Sequence, residues 1–194
     1  ADNKNANTKG GFINVDNNSL SNSDIYFNPI LNGVGSYCFN TNQTIDTDYK
    51  SYNLPIGGVC YVNNSNLYIN EIKSLDGKGS LAHDGGFIYK DIDDSKIISF
   101  KGIKIENYNS YHNGGAISLN RTKDISNTYS LLNFDTIHIN NCNAINGYGG
   151  GIYINTTKAR FNTIDITNCT ANKGGGGLAL LSVDNTGNTL ELNK

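Results

Sequence analysis

His, Cys, Arg and clustered carboxylates carry most side-chain chemistry, and they are sparse in this chain. His83 and His112 each stand two residues before a diglycine, and Asp84 follows the first of them. If those diglycines hold equivalent places in a repeat, the two imidazoles lie one unit apart, where they could share a metal ion. Two exposed turn residues that happen to share a repeat position is the simpler reading, so no metal is assigned. His138 lies between Ile137 and Ile139 and projects away from them. Asp91, Asp93 and Asp94, in KDIDDSK, are the densest acidic group, but the Gly and distal Glu of a calcium loop are missing. They read as a solvated turn. No G-x-S-x-G is present to raise a serine nucleophile on a strained turn. The glycine runs at 147–151 and 174–177 lack the Lys-Ser/Thr of a phosphate loop. No catalytic residue and no cofactor is expected.

The four cysteines are Cys38, Cys60, Cys142 and Cys169. No C-x-x-C occurs, which argues against a zinc site. Cys142 and Cys169 share one repeat position, so in adjacent units they stand about 4.8 Å apart, within disulfide range. Two bridges are open, Cys142–Cys169 and Cys38–Cys60, against the alternative of four buried thiols. Cys60 also suits the role of a small core hydrophobe. N-x-Ser/Thr sequons begin at Asn17, Asn42, Asn63, Asn120, Asn155 and Asn168. The first five are candidate glycosylation sites in a secreted eukaryotic chain. Asn168 is expected to be engaged in the structure and unmodified.

Composition sets the frame that must hold these residues. The chain has 194 residues and a formal charge of −2, with 33 Asn, 22 Ile, 22 Gly and only two Pro. A near-neutral surface excludes nucleic-acid binding as the main activity. No apolar run is long enough to cross a membrane as a helix. Many β-branched residues and few strong helix formers indicate an all-β chain, with Asn and Gly filling its turns.

A repeat organises that chain. A diglycine followed by alternating apolar residues occurs six times: GGFINV at 10–15, GGVCYV at 57–62, GGFIYK at 85–90, GGAISL at 114–119, GGGIYI at 149–154 and GGGLAL at 175–180. A second motif precedes the last three: FKGIKIENY at 100–108, FDTIHINNC at 134–142 and FNTIDITNC at 161–169. Each unit thus holds two short strands of period 2. Ile103 and Ile105, then Ile137 and Ile139, then Ile164 and Ile166 face one way. In the second strand Ile117, Ile152 and Leu178 face inward, while Asn14, Tyr61, Tyr89, Ser118, Tyr153 and Ala179 face outward. One unit cannot bury its own apolar face, whereas stacked units bury a continuous core.

The expected fold is therefore all-β: a right-handed parallel β-helix, or solenoid, of about six coils, with residues 1–194 as a single domain. Coils of this length favour the wide right-handed form over the narrow hexapeptide form. Loops lengthen without disturbing the stack, so the repeat is uneven. The diglycines supply positive φ for sharp turns. Asn107, Asn141 and Asn168 recur at one position and are expected to form an Asn ladder along the axis.

The Gly-Gly-Ala-Ile box at Gly114 to Ile117, after a Phe-x-x segment ending in Asn, resembles the repeats of chlamydial polymorphic outer membrane proteins. Similar repeats occur in other autotransporter passengers and in extracellular β-helix proteins. The resemblance spans residues 57–182. In the chlamydial box Asn follows Phe-x-x directly; Ile103, Ile137 and Ile164 stand there in this chain. The resemblance implies a β-helix and an extracellular or cell-surface location. Enzymes of the right-handed β-helix class use Asp-held calcium with a basic residue, or paired Asp. Arg121 and Arg160 have no matching carboxylate cluster.

The ends look like interrupted coils: ADNKNANTK resembles the approach to a diglycine, and NTLELNK starts a strand-like run. The segment is expected to be part of a larger chain or assembly, self-associating or stacking on other β-helix segments. The leading expectation is a non-enzymatic structural or adhesin-like protein, a rigid surface spacer or a subunit of an extracellular, even filamentous, assembly. A polysaccharide-active lyase or hydrolase fragment is one alternative. A module binding glycans or a host surface through Tyr61, Tyr89 and Tyr153 is another.

Overall fold

The computed structural model describes residues 13–16, 24–27, 32–34, 56–63, 66–78, 80–92, 97–121, 131–155, 158–181 and 189–192. Every described strand is β and none of the described residues is helical. In chain order the strands are β1 (Ile13–Asp16), β2 (Asp24–Phe27), β3 (Asn32–Val34), β4 (Cys60–Asn63), β5 (Asn66–Asp76), β6 (Ile88–Ile92), β7 (Ile97–Glu106), β8 (Asn109–Ser110) and β9 (Ile117–Arg121). They continue as β10 (Leu131–Asn140), β11 (Asn143–Ala144), β12 (Ile152–Asn155), β13 (Lys158–Phe161), β14 (Ile164–Thr167), β15 (Thr170–Ala171), β16 (Leu178–Leu181) and β17 (Thr189–Leu192).

These strands form three parallel sheets. The first runs β1-β4-β6-β9-β12-β16 and the second β17-β13-β10-β7-β5-β2, with β14 also on β10 and β3 also on β5. The third runs β15-β11-β8. From β7 onward the chain visits the second, third and first sheets in turn, then repeats. Each strand therefore pairs with its counterpart one repeat away, never with its sequence neighbour.

Register follows residue type. Cys60, Ile88, Ile117, Ile152 and Leu178 occupy one column of the first sheet. Ile72, Ile103, Ile137 and Ile164 occupy one column of the second. Phe100, Phe134 and Phe161 form another, with successive ring centroids 5.3 and 4.5 Å apart. All are buried except Ile164 and Leu178, which are partly exposed. A fully buried aliphatic side chain contributes about 1.5–3 kcal/mol, so each added unit with several of them supports its own stacking.

The glycines have two different jobs. Gly114 has φ 65, and a Cβ there would overlap the Ile117 carbonyl. Gly115 has an ordinary φ, but its Cβ would overlap the Gly150 carbonyl oxygen of the next unit. The first glycine turns the chain; the second lets two units approach. Backbone hydrogen bonds link the boxes across units, such as Gly115 N–H to Gly149 O at 3.0 Å and Gly150 N–H to Gly175 O at 3.1 Å.

Within the long strands, Gly102 (φ 64) and Thr136 (φ 57) adopt left-handed backbone between the Phe and Ile columns. Each puts a bend where a straight strand would carry the next side chain to the wrong face.

Candidate functional site

The polar side of the third sheet gathers the three ladder asparagines and Cys142 among the predicted site residues. Asn107, Asn141 and Asn168 follow the Ile pairs and all have positive φ, at 62, 52 and 53°. Asn tolerates this conformation better than other non-glycine residues, which explains its recurrence here. Its amide then points along the stack. Asn107 Nδ2 donates to Asp76 Oδ1 at 2.7 Å, and Asn141 Nδ2 donates to Asn107 Oδ1. The expected ladder breaks at the next step. Asn168 Nδ2 donates to Asn140 Oδ1 at 3.0 Å rather than to Asn141, and Thr167 Oγ1 donates to the same oxygen at 3.1 Å. Thr167 offers a hydroxyl in register with Asn140, and that pair draws the amide sideways.

A second polar row lies beside the first. Asn109 Nδ2 donates to Ser80 O at 3.3 Å, and Thr170 Oγ1 donates to Asn143 Oδ1 at 2.8 Å. The two rows, with Asp76, Lys78 and Cys142, line an open polar groove. Its described walls offer amides, one hydroxyl, one thiol, one carboxylate and one ammonium, a set that hydrogen-bonds polyhydroxyl or peptide ligands.

The cysteines are free thiols where described. Cys142 N–H donates to Cys169 Sγ at 3.4 Å, so the two repeat-equivalent residues are neighbours, as their spacing implies. Neither bridge weighed from the sequence is formed by Cys60, Cys142 or Cys169, and Cys38 lies outside the described residues. The Cys142 thiol hydrogen-bonds toward Cys169, which pushes its own pKa up and holds that of Cys169 down. Burial pushes the Cys60 thiol up to about 12, against the opposing pull of the Lys90 charge. Cys60 is the small core residue its column predicts.

The tyrosine row departs from expectation. Tyr61, Tyr89, Ser118, Tyr153 and Ala179 do share a column. However, Tyr61 is only 3% exposed, Tyr153 only 7%, and Ser118 is fully buried between Tyr89 and Tyr153. Tyr61 and Tyr89 stack 5.6 Å apart with rings nearly parallel, so each hides the other. Burial raises the Tyr153 hydroxyl pKa, with the Asp84 charge adding to it. At these positions both faces of the parallel sheet are covered, which is the usual state of such sheets, and the described tyrosines form no exposed aromatic strip. Tyr89 alone of the three is partly exposed.

Two sequon asparagines are also engaged. Asn120 Nδ2 donates to Tyr89 Oη at 3.2 Å, and Asn155 Nδ2 donates to Asn120 Oδ1 at 3.0 Å. Asn63 is described in backbone only, and Asn17 and Asn42 lie outside the described residues.

Three polar features escaped the sequence reading. Asp76 is the foot of the Asn ladder. Asp84 Oδ1 accepts the Asn113 N–H at 2.9 Å, and Asn113 Oδ1 accepts the Tyr148 N–H at 3.0 Å, a second side-chain row at the diglycine turn. Lys90 is fully buried in the column of Val62 and Leu119. Aligning GGFIYK with GGAISL would have flagged a Lys where every other unit has an aliphatic residue.

No protein-family model, no curated protein and no solved structure matches this chain.

Proposed function

We propose that the three sheets are faces of one right-handed parallel β-helix of about six coils, spanning residues 1–194 as a single domain. Its role is mechanical and non-enzymatic: a rigid spacer, adhesin-like stalk or subunit of an extracellular assembly at the cell surface. One observation carries this reading. Like residues stack on like in successive units, Ile on Ile, Phe on Phe and amide on amide, so that the internal order runs along one direction. At about 4.8 Å per parallel strand, six coils span about 29 Å.

Self-association by end stacking fits the same picture. Among the described residues, β14, β15 and β16 have no partner on their outer side, and Ile164, Ile166, Leu178 and Leu180 there are only partly buried. Leu181 is 38% exposed. An unpaired parallel edge with apolar side chains recruits further strands.

Electron microscopy and small-angle scattering of the purified protein over a range of concentrations test this. Elongated particles that lengthen with concentration are expected. A compact monomer that cleaves a polysaccharide would overturn it.

A second reading, a glycan-binding module, draws on the polar groove lined by Asn109, Asn143 and Thr170 rather than on the tyrosines. Glycan binding that is lost in Asn143→Ala but kept in Tyr89→Ser would favour it.

A further inference from the structure

Outside the groove, one cluster combines metal-ligating side chains from two successive units. The backbone sets it up: the His112 N–H donates to His83 O at 2.7 Å, so the two histidines are one step apart in the stack. Their rings meet edge to face at 4.2 Å between centroids and 80° between planes. Asp84 completes the group. Its Oδ2 lies 2.6 Å from His83 Nδ1 and 3.9 Å from His112 Nδ1. Its Oδ1 is held by the Asn113 N–H, which fixes the carboxylate and turns Oδ2 toward both imidazoles. One ligand atom from each residue lies within 4.8 Å of the others.

We propose that His83, Asp84 and His112 bind one divalent transition-metal ion of the zinc class, stapling two successive units together. The ligand set selects the ion. Two imidazoles and one carboxylate suit zinc, cobalt, nickel or copper, whereas calcium and magnesium require a mostly oxygen shell. The distances are close to those required. Ligands about 2.1 Å from a tetrahedral ion stand about 3.4 Å from each other. Binding requires the 3.9 Å gap to close and the 2.6 Å gap to open, with the ion taking the place of the His83–Asp84 hydrogen bond. The Asn113 N–H already holds the other oxygen of Asp84, the kind of contact that orients a ligating carboxylate.

The remaining coordination positions face solvent. The side chains of His83, His112 and Asp84 are 23%, 38% and 15% exposed, so an ion has a path in and water completes its shell. Lys173 opposes binding through its positive charge near His112, but it is exposed and extends over the Tyr148 ring. His138 and Asp165 provide an internal control. They are also one unit apart, at 3.5 Å, but are exposed and have no third ligand among the described residues.

The test is calorimetric titration of chelator-treated protein with Zn²⁺, repeated with Mg²⁺ and by melting with and without Zn²⁺. One zinc per chain, no magnesium binding and a raised Tm are expected. His83→Ala, His112→Ala and Asp84→Asn should each lose at least about tenfold in affinity, the loss seen when even outer-shell partners are removed. His138→Ala should bind as the parent does. Circular dichroism of each metal-free variant establishes that it is folded, and His112→Asn replaces His112→Ala if that variant is not. The proposal is overturned if the parent binds no zinc, or if the three substitutions leave its affinity unchanged.

Discussion

Replacing Asn107 separates the two contributions of the amide ladder. Asn107 holds a left-handed backbone at φ 62 and makes two side-chain hydrogen bonds, one to the Asp76 carboxylate and one from Asn141. Glycine at this position keeps the backbone and deletes both bonds. A bond to a charged acceptor contributes about 1.5–3 kcal/mol and a neutral amide bond about 0.5–1.5, at the lower end of each range for a half-exposed site. Asn107→Gly is therefore expected to lose about 2 kcal/mol. Asn107→Ala adds the left-handed penalty of about 1–2 kcal/mol. Asn107→Asp is expected to be as destabilising as Ala, because a second carboxylate meets Asp76 where a donor stood. For a chain of this size each kcal/mol moves Tm by about 2–4 °C, so urea titration and calorimetry resolve the series. The predicted order of stability is Asn, then Gly, then Ala. A glycine variant as stable as the parent would show that the ladder contributes nothing. Equal stability of Gly and Ala would refute the backbone half of the reasoning.

Other substitutions probe other links. Thr136 is exposed and β-branched at φ 57, so Thr136→Gly should raise the urea midpoint by the equivalent of about 1 kcal/mol, and a lowered midpoint would contradict this. Gly115→Ala should destabilise by about 3 kcal/mol or more, because its Cβ meets backbone of the next unit, whereas Gly102→Ala has room 3.7 Å from Glu71 and should cost only about 1–2. Equal losses would sink the distinction between turning and packing glycines. In thiol labelling followed by peptide mapping, Cys169 should react at lower pH than an ordinary cysteine, because its lowered pKa populates thiolate earlier, and Cys60, raised to about 12, should stay unlabelled in the folded state. Labelling of Cys60 before Cys169 would contradict those assignments.

The repeat made much of the fold legible. Period-2 alternation around Ile103 and Ile105, and again around Ile117 and Leu119, identified both main strands and their inward faces, and equal spacing put them in parallel register. The third sheet was not foreseen, since strands of two residues such as Asn109–Ser110 carry no detectable period. The Asn ladder was legible because only a residue tolerant of positive φ recurs there. Its sideways step at Asn168 depended on Thr167, a contact between columns that sequence spacing does not encode. The tyrosines were misjudged for a related reason. Alternation tells which face a side chain takes, not whether that face meets water, and Tyr61 and Tyr153 are covered. His83, Asp84 and His112 showed their repeat position in the sequence, but only the backbone pairing and the Asn113 contact bring their ligand atoms together.

The central claim is that equivalent residues of successive units lie side by side in parallel register. Methyl-labelled isoleucine NMR tests it directly, with Ile→Val substitutions assigning each signal. Nuclear Overhauser contacts are predicted between the methyls of Ile88 and Ile117, Ile117 and Ile152, and Ile103 and Ile137. Their absence, together with contacts expected of hairpin neighbours in sequence, would contradict it.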